Sequence, residues 1–236
     1  MVLCFLLLPL LATTTTSGLQ VSFFQAQQTP AVRPKEEQHR MPPYPMAAEE
    51  LFELCASARF GFVTDPRASE LVDELVAAKA KVDLEALGGG LWLSKYTRGP
   101  EPKWKRPLFK GNRVGQEYDP KARTVRNYGE IAGPAVAFFA EGTYAPRQKQ
   151  ADHADVDVDV RRGGISLFGG AVEIPIGAIK GPGLLRIHYL DDRIRIFESP
   201  TSSPGDWEDK GLVVVQVRES AFAQYGDTTE TTGPSS

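Results

Sequence analysis

The sequence has few of the residues that build catalytic and metal sites. Its 236 residues include two cysteines and three histidines. Cys4 falls in an apolar leader and Cys55 in a helical pattern, so we expect no disulfide and interpret Cys55 as a small buried hydrophobe. The histidines lack the spacing of metal ligands. Motifs for an activated serine, a phosphate-binding loop or a zinc-binding helix are also absent, so the sequence indicates no catalytic residue, no metal and no cofactor.

The chain also lacks a strong charge imbalance and a long apolar run. Lysine and arginine total 27 against 30 acidic residues, a formal net charge of -3. Nucleic-acid-binding domains usually carry a basic excess on one face, so we expect no nucleic-acid partner. The apolar run at residues 2–12 is shorter than the roughly 20 residues that a spanning helix needs. It fits the core of a secretory signal peptide.

Changes in composition predict four segments. A signal-like leader at residues 1–18 precedes a polar, Pro- and Gln-containing stretch at residues 19–46 that shows no apolar periodicity. We interpret this stretch as a disordered, transit-type linker. Residues 47–219 form the one folded domain that we expect, and the Thr-, Gly- and Ser-rich residues 220–236 form a disordered tail.

Hydrophobic periodicity predicts a mainly β fold. Apolar residues recur at three- and four-residue intervals over residues 47–58 and 68–82, which predicts two short helices. After Gly90 the period changes to two, the pattern of strands. The strand-like runs are residues 91–97, 114–118, 124–131, 136–144, 155–160, 165–168, 171–176, 184–189, 193–198 and 212–218. Such a succession, with helices only in front, is typical of an antiparallel barrel or sandwich.

Residues 184–196 predict a β-hairpin with a definite register. A two-residue turn at residues 191–192 gives four cross-strand pairs: Tyr189 with Ile194, Ile187 with Ile196, His188 with Arg195, and Leu190 with Arg193. One face of the hairpin is then apolar and the other is largely cationic. The alternation predicts that the apolar face is buried.

The same hairpin carries a family resemblance. Tyr-Leu-Asp-Asp at 189–192, followed by Arg-Ile at 195–196, resembles a signature of the plastid lipid-associated protein, or fibrillin, family. Three further segments, at residues 90–97, 116–127 and 211–218, resemble family segments and occur in the family's order. The chain departs from the pattern at Phe197-Glu198, where the family usually continues with Ser or Gly and a second Arg-Gly. No role of that second arginine can be transferred to this chain.

The resemblance implies a lipocalin-like antiparallel β-barrel preceded by two short α-helices. It also implies a non-enzymatic plastid protein that binds lipids or other hydrophobic small molecules, such as a carotenoid, a prenylquinone or a fatty acid. Peripheral association with thylakoid membranes or plastoglobules is implied as well. A signal-like run followed by a polar segment suggests a two-part address, the type used by plastids with additional bounding membranes. Ordinary secretion is the alternative.

The interior of the expected barrel is the predicted ligand site. A barrel of about eight strands encloses either side chains alone or one small ligand, and an apolar lining binds an apolar molecule by desolvation. The residues selected as inward-facing ligand contacts are Trp92, Tyr96, Phe138, Ile187, Tyr189, Ile194, Ile196 and Val215. The same side chains would be needed to fill a closed core, and core filling stays open as the alternative.

Four residues are candidates for contact with a membrane surface or with lipid head groups. Trp104 and Lys105 belong to a short basic run in which an aromatic ring is flanked by cations. Arg193 and Arg195 share the cationic face of the hairpin, where a guanidinium suits an anionic head group or a lipid carboxylate. Exposed salt bridges with the aspartates of the turn are the alternative for both arginines.

Two other functions stay open. An enzyme on the same barrel would need buried carboxylates for acid-base chemistry, and Glu141 and Glu173 are the candidates. A structural subunit of a thylakoid complex would have a packed barrel without a ligand. The alternating aspartates at residues 155, 157 and 159 are interpreted as a solvated strand face, because a calcium loop would require them to converge.

The two-part address predicts where a reporter will be delivered. A fusion of residues 1–45 to a fluorescent protein is expected to reach the plastid, as seen by co-localisation with chlorophyll fluorescence in an alga that has a secondary plastid. Delivery of the reporter to the medium would support secretion and contradict the plastid address.

Overall fold

A computed structural model describes residues 45–58, 61–102, 112–147, 152–176, 180–204 and 209–222. The predicted leader, nearly all of the predicted linker and tail, and the predicted membrane contacts Trp104 and Lys105 lie outside the described residues. Within these ranges no helix is long and apolar enough to cross a membrane.

Two short α-helices precede the strands, as predicted. Helix α1 spans Met46–Ser57 and α2 spans Arg67–Ala77. The second helix ends before the predicted residue 82, and Lys79 just beyond it adopts a left-handed φ of 49°, a conformation that a helix cannot contain. A 3-10 helix, Leu84–Leu87, then leads into the sheet, and the Asp83 carboxylate caps it by accepting a hydrogen bond from Glu85 N.

Nine strands form one antiparallel sheet within the described residues. They are β1 Leu91–Arg98, β2 Val114–Asp119, β3 Thr124–Glu130, β4 Val136–Pro146, β5 Ala154–Leu167, β6 Val172–Pro175, β7 Gly181–Leu190, β8 Ile194–Ser199 and β9 Leu212–Arg218. Their order is β4-β3-β2-β1-β9-β8-β7-β5-β6, and β4 also pairs with β5. This additional pairing closes eight strands into a barrel and leaves β6 as an extra strand. The predicted mainly β, lipocalin-like barrel is confirmed.

One long strand replaces two of the predicted short ones. Residues 155–160 and 165–167 belong to β5, which bends but does not end between them, and Phe168 lies just beyond the strand in a 3-10 turn. The pairing with β4 shifts by one residue at Arg161, which forms a bulge. Beyond the bulge Gly164 allows β6 to approach, since a Cβ at this position would lie 2.2 Å from the Ile174 carbonyl oxygen. The first part of β5, residues 154–160, therefore pairs with β7, and its last part, residues 164–167, pairs with β6.

Buried apolar side chains form two clusters on opposite faces of the barrel wall. The interior cluster takes residues from all eight barrel strands: Trp92, Tyr118, Val125, Tyr144, Ala154, Val156, Val158, Val160, Leu185, Ile187, Phe197, Leu212 and Val214. The outer cluster joins both helices to the outside of β7, β8 and β9. Cys55 lies in this outer cluster, and burial raises the pKa of its thiol to about 12, which agrees with the predicted small hydrophobe.

The register predicted for the β7–β8 hairpin is wrong. Tyr189 pairs with Ile196, and Ile187 pairs with Phe197 across a bulge at His188. The turn is longer than two residues, because the first pair beyond it joins Leu190 to Arg195. The Asp191 carboxylate stabilises this turn by accepting hydrogen bonds from the backbone N–H groups of Arg193 and Ile194, both at 2.7 Å. A turn that is closed in this way by the side chain of an aspartate is an Asx-turn.

This register places Ile187 inside the barrel but Tyr189, Ile194 and Ile196 outside it, beneath the helices. The opposite face of β8 carries Arg195 and Phe197 into the interior. Both faces of β8 are therefore buried, and hydrophobic alternation alone does not distinguish the inside of such a strand from its outside.

One end of the barrel is closed by the 3-10 helix Leu84–Leu87 and by Arg218. Trp92 Nε1 donates a 2.8 Å hydrogen bond to the Leu87 carbonyl oxygen. The Arg218 guanidinium lies 4.3 Å from the Trp92 ring centre and donates to the carbonyl oxygens of Ala86, Gly88 and Asp192. We call this end the closed end. Since all strand pairs are antiparallel, the β5–β6 turn lies at the opposite end.

Replacing Ile196 by alanine is expected to lower the free energy of unfolding by about 2–5 kcal/mol, because its side chain is fully buried between β8 and the helices. Ile174→Ala is the matched control, and its half-exposed side chain makes a change within about 0.5 kcal/mol the expectation. Urea denaturation followed by circular dichroism measures both. An equal loss in the two variants would contradict the placement of the helices over β8.

Candidate functional site

The barrel interior contains a buried arginine. Arg195 projects inward from β8, and none of its surface is exposed. Its Nη2 donates hydrogen bonds to the side-chain oxygens of Gln116 and Gln216. Gln216 Nε2 in turn donates to Ser94 Oγ at 3.1 Å. We call these four residues, Arg195, Gln116, Gln216 and Ser94, the interior polar cluster.

Aromatic rings surround the Arg195 guanidinium. Its central carbon lies 4.8 Å from the ring centres of both Tyr118 and Phe197 and 5.5 Å from that of Trp92. A cation–π contact of a desolvated guanidinium is worth about 2 kcal/mol. The rings therefore offset part of the cost of burying this charge.

The charge of Arg195 has no acidic partner among the ion pairs of the described residues. Its Nε and Nη1 atoms are buried and have no hydrogen-bond partner. Burial lowers the pKa of Arg195, yet a guanidinium keeps its proton at physiological pH. A buried cation with unused donors is costly, and groups of this kind are found where a ligand or a water supplies the acceptor.

Segments that are distant in the sequence meet at this cluster. Trp92 comes from β1, Gln116 from β2, Arg195 from β8 and Gln216 from β9. Gln116 Nε2 also donates a 2.6 Å hydrogen bond to Asn127 Oδ1 on β3. Each of these residues belongs to one of the four motif segments that carry the sequence resemblance. The motifs thus supply the parts of one buried polar site.

Most of the predicted ligand contacts do not face the barrel interior. Trp92 and Ile187 do, as predicted. The predicted inward orientation is wrong for five residues that pack against the helices on the outer wall: Tyr96, Tyr189, Ile194, Ile196 and Val215. Phe138 lies beyond the buried interior, and 47% of it is exposed.

The two hairpin arginines have different environments. Arg193 forms an ion pair with Glu49 of α1, at 2.8 and 3.1 Å, and lies 4.7 Å above the Phe52 ring. A salt bridge was the expected alternative, although the partner lies on the helix and not in the turn. The prediction that Arg195 shares a surface with Arg193 is wrong, because Arg195 lies inside the barrel.

An apolar sheet face is exposed at the end opposite to the closed end. Two rows of paired residues cross β4, β5 and β6 there: Val136, Leu167 and Val172, and Phe138, Ile165 and Ile174. We call these six residues the apolar apron. Val172 and Ile174 are 46% and 48% exposed. Phe138 lies two residues before Ala140, which packs against the interior cluster, so the apron continues the inner face of the barrel.

The other face of these strands carries paired charges. Arg126 and Arg162 each bond to both Glu141 and Glu173, at 2.5 to 3.0 Å. Hydrogen bonding to Arg126 lowers the pKa of the Glu173 carboxyl. Glu141 and Glu173, the candidates for acid-base catalysis, are therefore half-exposed ion-pair partners on the outer wall and not carboxylates inside the barrel.

A polar cavity of about 690 Å³ lies against the outer wall of β2 to β5. Its lining mixes acidic and basic side chains, including Glu117, Asp119, Arg161 and Arg162. The three alternating aspartates lie on this same outer wall and pair individually with Arg186, Arg147 and Arg161. They do not converge, as predicted, although Asp155 is buried and not solvated.

The two described histidines lie near each other on the outer wall. The ring centres of His153 and His188 are 6.2 Å apart. His188 Nε2 lies 3.1 Å from Glu198 Oε2 and does not face Arg195 as predicted. His153 contacts Asp152 at 2.7 Å. Across the described ranges no group of three or more His, Cys, Asp or Glu side chains is arranged to hold a metal ion.

Sequence reasoning missed Gln116, Gln216 and Arg218 as interior residues. The signal for Gln216 is visible, because it is the one polar residue in the run Leu-Val-Val-Val-Gln-Val at 212–217. A polar residue inside such a run predicts a buried hydrogen-bonding group. Arg195 gives the same signal between Ile194 and Ile196. The signal was not used, because the hairpin was expected to have one buried apolar face and one exposed cationic face.

No model of a known protein family matches the chain, and no curated protein matches it.

Replacing Arg195 by methionine and Gln216 by leucine in one protein is expected to leave the free energy of unfolding unchanged or to raise it by up to about 4 kcal/mol. Two apolar side chains then replace a buried cation with unused donors, while Gln116 keeps a donor in Tyr118. Denaturation of lipid-stripped protein measures the difference.

The contrasting variant for this experiment is Arg218→Met, which removes an arginine that satisfies three carbonyl oxygens. It is expected to lower the free energy of unfolding by at least about 2 kcal/mol. A comparable loss in the Arg195 and Gln216 double variant would show that Arg195 is a structural residue.

Proposed function

We propose that this chain is a plastid protein of the fibrillin type that binds a lipid or another hydrophobic small molecule in its barrel. We further propose that it associates peripherally with a lipid surface, a thylakoid membrane or a plastoglobule. A closed antiparallel barrel of eight strands is compatible with one small apolar ligand.

The apolar apron is the observation that carries this proposal. Most soluble proteins cover their contiguous apolar surface, and a larger exposed patch marks a binding surface. Here the patch is an extension of the inner barrel face and lies at the end opposite to the closed end. It therefore offers an apolar molecule, or the acyl chains of a lipid surface, a continuous path of apolar contacts toward the interior.

The convergence of the motif segments supports the fibrillin resemblance. A chance likeness of four short segments would scatter their residues over the fold. Instead Trp92, Gln116 and Gln216 meet around Arg195. This agreement between sequence motif and position is the basis on which the plastid assignment is carried over from the family.

A structural subunit without a ligand is the second candidate. It is favoured by the close packing of the interior, where Trp92, Ile187 and Val214 are at most 1% exposed. A carrier with this interior must move side chains to admit its ligand. A scaffold would keep them in place, and a lipid analysis distinguishes the two.

Aspartate in place of Phe138 or Ile174 is expected to reduce uptake of a fluorescent lipid about tenfold or more, because a charge on the apron opposes the passage of an apolar molecule. Met46→Asp is the matched control, since Met46 is also exposed but lies at the start of α1, and uptake by this variant should be unchanged. Fluorescence titration with a lipid probe measures uptake by each variant and by the wild-type protein.

Lipid extraction of the purified wild-type protein, followed by mass spectrometry, separates the candidate functions. A stoichiometric, unaltered lipid supports the carrier. Turnover of an added lipid supports the enzyme alternative. A protein that holds no lipid and takes up none supports the scaffold and contradicts the proposed function.

A further inference from the structure

We propose that the ligand is a singly charged acidic lipid and that Arg195 binds its carboxylate at the closed end of the barrel. This inference rests on the proposed function, because it requires the barrel to take up a hydrophobic molecule. It adds the chemical class of the head group, the residue that recognises it and the direction in which the ligand lies.

The charge of Arg195 is unmatched by the ion pairs of the described residues. Arg195 has no exposed surface, and two of its nitrogen atoms are buried without an acceptor. A neutral hydrocarbon gains nothing from such a group, and methionine or leucine would bind it better at this position. An anionic head group supplies both the missing charge and the missing acceptor atoms.

The geometry of the Arg195 guanidinium suits a carboxylate. Its Nη2 shares one edge with Nε and another with Nη1, and Nη2 already bonds to the oxygens of Gln116 and Gln216. A carboxylate that displaces one glutamine oxygen therefore receives two parallel hydrogen bonds along one edge. The amide that it displaces is on a flexible side chain and can rotate to donate to the bound head group.

The amount of cationic charge beside Trp92 favours a carboxylate. Arg218, whose guanidinium lies against the same Trp92 ring as that of Arg195, is held by three backbone carbonyl oxygens. One guanidinium is thus left to bind a head group. This matches a carboxylate better than a phosphate monoester, which is larger and carries up to two charges.

The position of the interior polar cluster relative to the apolar apron sets the direction in which the ligand lies. Arg195 and Trp92 lie near the closed end, and the apolar apron lies at the opposite end. An acidic lipid oriented with its carboxylate at Arg195 extends its chain along the apolar interior toward Phe138 and Ile174. The Arg195 guanidinium is closed to solvent, so entry displaces the aromatic side chains that cover it.

The experiment compares palmitate, hexadecanol and palmitoyl lysophosphatidate as ligands of the full chain. Dissociation constants come from displacement of a neutral fluorescent lipid. We expect wild-type protein to bind palmitate about 10- to 100-fold more tightly than hexadecanol, the range that one or two charge-assisted hydrogen bonds provide. Lysophosphatidate is expected to bind more weakly than palmitate. Tighter binding of lysophosphatidate would overturn the carboxylate assignment.

Arg195→Met is expected to remove the preference for palmitate while leaving the affinity for hexadecanol within about threefold. Arg161→Met is the matched control, because Arg161 lies on the outer wall with two thirds of its side chain exposed, and it should retain the wild-type preference. An unchanged preference in Arg195→Met, or equal binding of palmitate and hexadecanol by wild type, overturns the inference while the proposed function stands. Binding of none of the three ligands overturns both.

A second measurement needs no variant. The carboxyl carbon of [1-¹³C]palmitate reports its ionisation by NMR, and a nearby guanidinium favours the ionised form. Palmitate bound to wild-type protein is expected to stay ionised at a lower pH than palmitate in neutral phosphatidylcholine vesicles. If the carboxyl group of bound palmitate titrates at the same pH as in the vesicles, the inference is overturned. This test uses wild-type protein, so it holds even if Arg195→Met does not fold.

Discussion

The pairing of β4 with β5 is the constraint on which the rest of the structure depends, because it closes the sheet. Once the sheet is closed, every strand has an inner and an outer face, and both must be accounted for. The helices cover the outer face of β7, β8 and β9, whereas paired charges occupy the outer face of β3, β4 and β5. The inner face is left to bury aromatic and aliphatic side chains around the Arg195 guanidinium.

Closure also explains why a polar cluster lies inside an otherwise apolar barrel. Strands β1, β2, β8 and β9 are neighbours in the sheet although β2 and β8 are far apart in the chain. Each contributes an inward side chain at one level, so that Ser94, Gln116 and Gln216 reach Arg195. The arrangement satisfies the glutamines but leaves part of the guanidinium unsatisfied. This imbalance is the observation on which the proposed binding of an acidic lipid rests.

Much of the fold could be predicted from the sequence, because period and turn residues act locally. The two helices, the change of period after Gly90 and most strands were predicted near their observed positions. The merging of two strands into β5 could not be predicted, because Gly163 and Gly164 resemble a turn in sequence, whereas Gly164 lies inside the strand where β6 approaches closely. The hairpin register failed for a related reason, since a bulge at His188 changes which residues share a face.

The candidate site was predicted less well than the fold. Trp92 and Ile187 were correctly placed inside, but an apolar residue that packs beneath a helix has the same sequence pattern as one that lines a barrel. The information that separates them comes from the helices, which cover only one side of the wall. The buried polar residues were the better indicators, because a lone arginine or glutamine in an apolar strand has few explanations.

The short edge strand β6 exposes apolar side chains but disfavours strand pairing with another chain. β6 has four residues and ends at Pro175, which lacks a backbone donor. Its Glu173 is held by Arg126 and Arg162, so a charged side chain is fixed in the middle of the strand. Brevity, a proline and a charge are the features by which natural sheets discourage edge-to-edge aggregation. The chain can thus expose apolar side chains toward the proposed lipid surface while resisting the edge-to-edge pairing of strands that leads to fibrils.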